Sequence, residues 1–88
     1  MPRIVITHAV RDVDRWLDGR AERAASVPGG GNVTDLVAMD GSNHTGIAFD
    51  VDDVDALKQM LAELPPEVAA QAESHGVIQP MTVFVEAE

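Results

Sequence analysis

The stretch Met1–Trp16, MPRIVITHAVRDVDRW, decides the fold. From Arg3 to Val10 the side chains alternate, with Ile4, Ile6, His8 and Val10 on one row and Val5, Thr7 and Ala9 on the other. Both rows are largely apolar, which suits a strand covered on both sides. The pattern breaks at Arg11-Asp12, and Asp12 is a fair N-cap because its carboxylate can accept from the first free amides of a helix. A helix from about Val13 to Ser26 would turn Val13, Trp16, Leu17, Ala21 and Ala24 to the core and leave Arg15, Asp18, Glu22 and Arg23 outside. Gly19 weakens its middle by roughly 1 kcal/mol relative to alanine.

Working outward, the run Pro28-Gly29-Gly30-Gly31-Asn32 ends this helix in a loop. Val33 to Met39 reads as a strand, Asp40-Gly41-Ser42-Asn43 as a turn, and His44 to Val51 as the returning strand of a hairpin. Asp52 or Asp53 caps a second helix with Val54, Leu57, Leu61 and Leu64 at helical spacing. Pro65-Pro66 interrupts it, and Pro66 to Ser74 forms an offset segment closed by Gly76. Pro80 precedes or opens the last strand, Met81 to Glu86. The order β-α-β-β-α-β predicts a single α+β domain over residues 1–88, with the ferredoxin-like antiparallel sheet order 4-1-3-2. One sheet face takes the helices. The other is still apolar, and a second copy of the same sheet is its simplest cover.

Composition narrows the partners. The chain has 88 residues, 45% of them hydrophobic, and no cysteine. A domain this small buries only roughly two-thirds of its unfolded surface, so self-association is a natural way to bury more. Its formal charge of −9 disfavours nucleic acid and anionic membrane surfaces. The acid excess fits either a high-salt habitat or an arginine-biased coding composition. No run approaches the roughly 20 apolar residues of a membrane span, and the start does not read as a secretion signal, so the cytoplasm is the expected location.

Among chemically able residues, His8 leads. A histidine among branched apolar side chains is either a general base or hydrogen-bond anchor, or a buried neutral residue satisfied by backbone. The predicted topology brings the end of the first strand, the start of the third and the end of the second helix to one end of the domain. His8, His44 and His75 would then face a common rim, with His8 and His44 as catalytic candidates. Trp16, His75 and Arg20 are ligand-binding candidates. Trp16 would serve as a pocket wall and Arg20, one turn later, as a cation for an anionic or phenolic group. His75 also reads as a helix C-terminal residue favoured by the dipole, and Arg20 as a surface or dimer-interface residue. No metal is expected, because no H-x-H or H-x-x-x-H pair pins two ligands on one element. The acidic run from Asp50 to Asp55 lacks the glycine and ligand spacing of a calcium loop. The triple glycine follows a helix and lacks a Lys-Ser/Thr pair, so it is no phosphate loop.

Two motifs carry a resemblance over nearly the whole chain. One is I-x-H-x-V-x-D-x-x-x-W, at Ile6, His8, Val10, Asp12 and Trp16; the other is G-V-x-x-P-x-x-x-F-x-E, at Gly76, Val77, Pro80, Phe84 and Glu86. Together they resemble small stand-alone members of the dimeric α+β barrel superfamily, relatives of the antibiotic biosynthesis monooxygenase-like and polyketide cyclase-like domains. That resemblance implies a homodimer with its sheets face to face and a pocket between sheet and helices in each subunit. It implies cofactor-free oxidation, cyclisation or isomerisation of a small apolar, phenolic or polyketide-like compound. The monooxygenase-type members line the pocket with an Asn, Trp and His set; here the histidine lies on the first strand and the tryptophan on the first helix. The alternative is a non-catalytic dimeric module that binds a metabolite or a protein. A cavity of roughly 300 Å³ or more lined by His8 would favour ligand handling.

Overall fold

The structure, a computed structural model, describes residues 2–26 and 31–87. Its elements are β1 (Arg3–Val10), α1 (Val13–Asp18), α2 (Arg20–Ser26), β2 (Gly31–Val37), β3 (His44–Asp50), α3 (Val54–Ala62), α4 (Pro66–Ser74) and β4 (Val77–Val85). The four strands form one sheet in the order β2-β3-β1-β4, and every pairing is antiparallel. This is the α+β, ferredoxin-like arrangement the element order predicts.

Alternation along β1 sets the two faces. Ile4, Ile6, His8 and Val10 are all buried, whereas Val5, Thr7 and Ala9 are half-buried. Opposite residues of an antiparallel pair share a face, so the pairs Ile4–Phe49, Ile6–Ile47 and His8–Thr45 extend the buried row onto β3. Leu57 of α3 and Val51 complete a core of Ile4, Ile6, Ile47 and Phe49 on that side. The other face carries Leu36, Ile78 and Phe84, which are exposed.

Local chemistry explains the element ends. The Asp12 carboxylate accepts from the amides of Asp14 and Arg15, and Asp53 caps α3 through the amide of Ala56. In the hairpin the Asp40 carboxylate accepts from the Ser42 amide, and Gly41 adopts φ 76°.

Three expectations need correction. The first helix is two, because Gly19 leaves the helical ladder: its amide bonds to the Trp16 carbonyl at 3.1 Å, three residues back. In α2 Ala21 and Ala24 are exposed and Arg23 is half-buried. The strand expected at Val33 starts at Gly31, with a register shift before Thr34. The last strand starts at Val77 and runs through Pro80, on a sheet edge where β1 and β4 shift register. A proline costs no ladder bond at such a place. Of the predicted glycine loop, positions 28–30 lie outside the described residues.

Candidate functional site

Between the buried sheet face and the helices lies a cavity of about 130 Å³. Ile6, Phe49, Leu57 and Met60 make it apolar, and His8, Trp16, Arg23, Gln71 and His75 are its lining residues with polar side-chain atoms. It is smaller than the roughly 300 Å³ expected of a site for drug-sized molecules, and it is not fully enclosed.

His8 is 6% exposed and is held by its own strand end. Its Nδ1 lies 3.2 Å from the Ala9 carbonyl oxygen. A carbonyl only accepts, so Nδ1 carries the proton and Nε2 the lone pair. The Thr45 hydroxyl, 3.4 Å from Nδ1, donates to the His8 carbonyl and keeps a lone pair toward the ring. Asn43 fixes the end of the strand, its side-chain amide donating to the Val10 carbonyl at 2.9 Å. Nε2 has no hydrogen-bond partner among the described residues. The ring meets Trp16 edge to face, with centroids 5.8 Å apart at 75°.

Burial holds the His8 imidazole below its ordinary value. The charges of Arg23 and His44 push the same way, against the Ala9 carbonyl, which raises it. A histidine depressed in the folded state binds fewer protons there than in the unfolded chain. Its stabilising effect is present above an unfolded value of about 6.5 and is lost as pH falls from there through the folded value. Urea midpoints of wild type should therefore drop more steeply between pH 7 and pH 5 than those of His8→Asn, whose amide can keep the Ala9 bond. Parallel pH profiles would show that His8 is not shifted.

Trp16 is fully buried, and its indole Nε1–H has no hydrogen-bond partner among the described residues. The Arg23 guanidinium covers its ring at 3.9 Å. His75, the C-cap of α4, is 2% exposed and also lines the cavity. Arg23 can only donate, so His75 Nδ1 accepts from Arg23 Nη1 at 3.3 Å. That leaves Nε2–H to face the Glu22 carboxylate at 3.4 Å.

The structure thus brings His8, Trp16 and His75 to one cavity, and it separates the other two candidates from them. His44 pairs with Ala9, so it sits beside His8 in the sheet but points to the opposite face, where it is exposed. The expected common rim of three histidines is corrected by this one-residue offset, since neighbouring strand positions alternate faces. Arg20 is exposed and does not line the cavity; Arg23 does. Arg23 escaped sequence reasoning, yet in the single helix read from the sequence a position seven residues after Trp16 shares its face. Among the described residues no group of three or more His, Asp or Glu side chains is placed to hold a metal ion.

An α+β, ferredoxin-like domain with a helix-covered cavity is the class these features define. The chain shares the fold of antibiotic biosynthesis monooxygenase structures. SnoaB of Streptomyces nogalater, a cofactor-independent oxygenase, matches with a TM-score of 0.68 and 19% identity, over 99% of this chain and 93% of its own. A Bordetella bronchiseptica protein provisionally named an antibiotic biosynthesis monooxygenase gives a TM-score of 0.72 at 12% identity, covering 99% and 95%. Rv0793 of Mycobacterium tuberculosis gives 0.59 at 17% identity, covering 100% and 95%. No protein-family model and no curated protein sequence matches the chain.

Proposed function

We propose that the protein binds a small, largely apolar ring compound bearing a hydroxyl group, phenolic or polyketide-like, and acts on it without a cofactor. The observation that carries this reading is a His8 Nε2 with no partner among the described residues, in a cavity wall that is otherwise mostly apolar. The ligand hydroxyl donates to Nε2, while Nδ1–H stays on the Ala9 carbonyl. The same burial that keeps His8 neutral makes its imidazolium costly. Its resting role is therefore to orient the hydroxyl, and it takes the proton only as charge develops on the ligand. Trp16 is the wall against the ring. At about 130 Å³ the cavity is slightly smaller than the about 150 Å³ that takes up benzene, so a single ring would fill it and reach into its opening. Further rings of a larger ligand would lie in its opening. The likeness in fold to SnoaB, a cofactor-independent oxygenase, supports oxidation among the reactions considered.

The assembly we propose is a homodimer through the open sheet face. Its support is the exposure of Leu36, Ile78 and Phe84 on that face, 40%, 39% and 54% respectively. Light scattering on the eluted protein reads the mass directly.

A thermal-shift titration with phenol tests the ligand reading. At a hundredfold excess over Kd a ligand adds about 2.7 kcal/mol, so the midpoint of a domain this size should rise by roughly 10 °C or more. In His8→Ala the shift should largely vanish. A phenol-dependent shift that survives that substitution would count against His8 as the anchor.

A further inference from the structure

We propose that Arg23 is the positioning residue of this cavity, holding the Trp16 indole and the His75 ring in its wall through one planar fork. The proposal concerns the same cavity as the reading above and does not depend on its ligand.

The guanidinium is tied at both of its Nη atoms. Nη2 donates to the Asp35 carboxylate of β2 at 3.1 Å, in a pair whose side chains are 11% and 17% exposed. Nη1 donates to the Trp16 carbonyl at 2.6 Å and to His75 Nδ1 at 3.3 Å. The guanidinium carbon lies 3.9 Å from the centroid of the Trp16 ring. One side chain of α2 thereby joins α1, β2 and the end of α4, and Trp16, His75 and Arg23 all face the cavity. An ion pair that served stability alone would need only Asp35. Covering the indole while bonding on two edges needs a flat, delocalised cation, which a lysine ammonium is not. Arg23 also fixes the hydrogen-bonding sense of His75, because it can donate and never accept. With Nδ1 accepting and Nε2–H facing Glu22, both ring nitrogens are engaged. His8 is then left as the histidine of the cavity with a free lone pair.

Arg23→Lys and Arg23→Gln separate position from charge. Trp16 is the only tryptophan and there is no tyrosine, so its emission and the tryptophan band of the near-UV circular dichroism report the cavity wall alone. Both folded variants should show a red-shifted emission and a weaker near-UV band. The His8 titration followed by NMR should move upward in Arg23→Gln but stay close to wild type in Arg23→Lys, which keeps the charge. His44, the other charged group acting on His8, is unchanged in both. Phenol should bind Arg23→Lys at least about tenfold more weakly than wild type, a difference of about 1.4 kcal/mol. Unchanged Trp16 emission in folded Arg23→Gln, or equal phenol affinity in Arg23→Lys, overturns the proposal. Should Arg23→Gln fail to fold, Asp35→Ala removes one anchor and keeps the arginine. A red shift there supports the proposal, and unchanged emission overturns it. If wild type takes up no phenol, the ligand reading falls while the emission of the variants still judges Arg23.

Discussion

Trp16→Ala is expected to destabilise the domain by about 3–5 kcal/mol, the range for truncating a buried aromatic. Total stabilities of domains are about 5–15 kcal/mol, so this one substitution removes much of what holds the chain folded. The indole is fully buried, and it is the surface on which the Arg23 guanidinium rests. Its loss therefore removes packing and leaves a desolvated cation without its aromatic face, a contact worth up to about 2 kcal/mol when desolvated. Trp16→Phe should recover much of the packing, since a phenyl ring still offers Arg23 a face. Urea unfolding of the two variants measures both effects. A cost below about 1 kcal/mol for alanine would show that the indole is not part of the core.

Gly19→Ala should destabilise by about 1–3 kcal/mol, the cost of overpacking a filled site, although alanine is the better helix former by about 1 kcal/mol. Backbone conformation does not decide the sign, because Gly19 has φ −88°, which alanine adopts freely. Space decides it. A Cβ at Gly19 would lie 2.7 Å from His75 Nδ1 and overlap the rest of the ring. His75 cannot swing away, being 2% exposed and bonded through Nδ1 to Arg23. Combining Gly19→Ala with His75→Ala should cancel most of the clash, giving a coupling of about 1 kcal/mol or more in a double-mutant cycle. A Gly19→Ala protein as stable as wild type would mean that the ring stands further off.

Much of the fold is legible in the sequence because it depends on local periodicity. The two rows of β1, the Asp-Gly turn, the capping aspartates and the Pro65-Pro66 break each act within a few residues. His8 and Trp16 are legible for the same reason, standing out against apolar neighbours. What is not legible comes from contacts that join distant segments. A glycine in a helical pattern reads as a weak helix residue, whereas its partner here is a ring 56 residues away in sequence, a difference between positions 19 and 75. Arg23 reads as a solvated cation, whereas in the structure it bonds to Asp35 of another element. His44 reads as a companion of His8 until the register places it against Ala9.

The pairing of β1 with β4 has a consequence for how the cavity comes into being. These strands meet across nearly the whole chain; the Arg3 amide and the Glu86 carboxylate bond at a separation of 83 residues. Loop-closure entropy makes such pairings late events in folding. Val77 and Met81 of β4 line the cavity, and His8 sits on the strand they pair with. The cavity is therefore complete only once β4 has paired with β1. A chain that has built its hairpin and helices but not yet recruited β4 has no site. Ligand captured by the native state pulls on the whole folding equilibrium rather than on one corner of it.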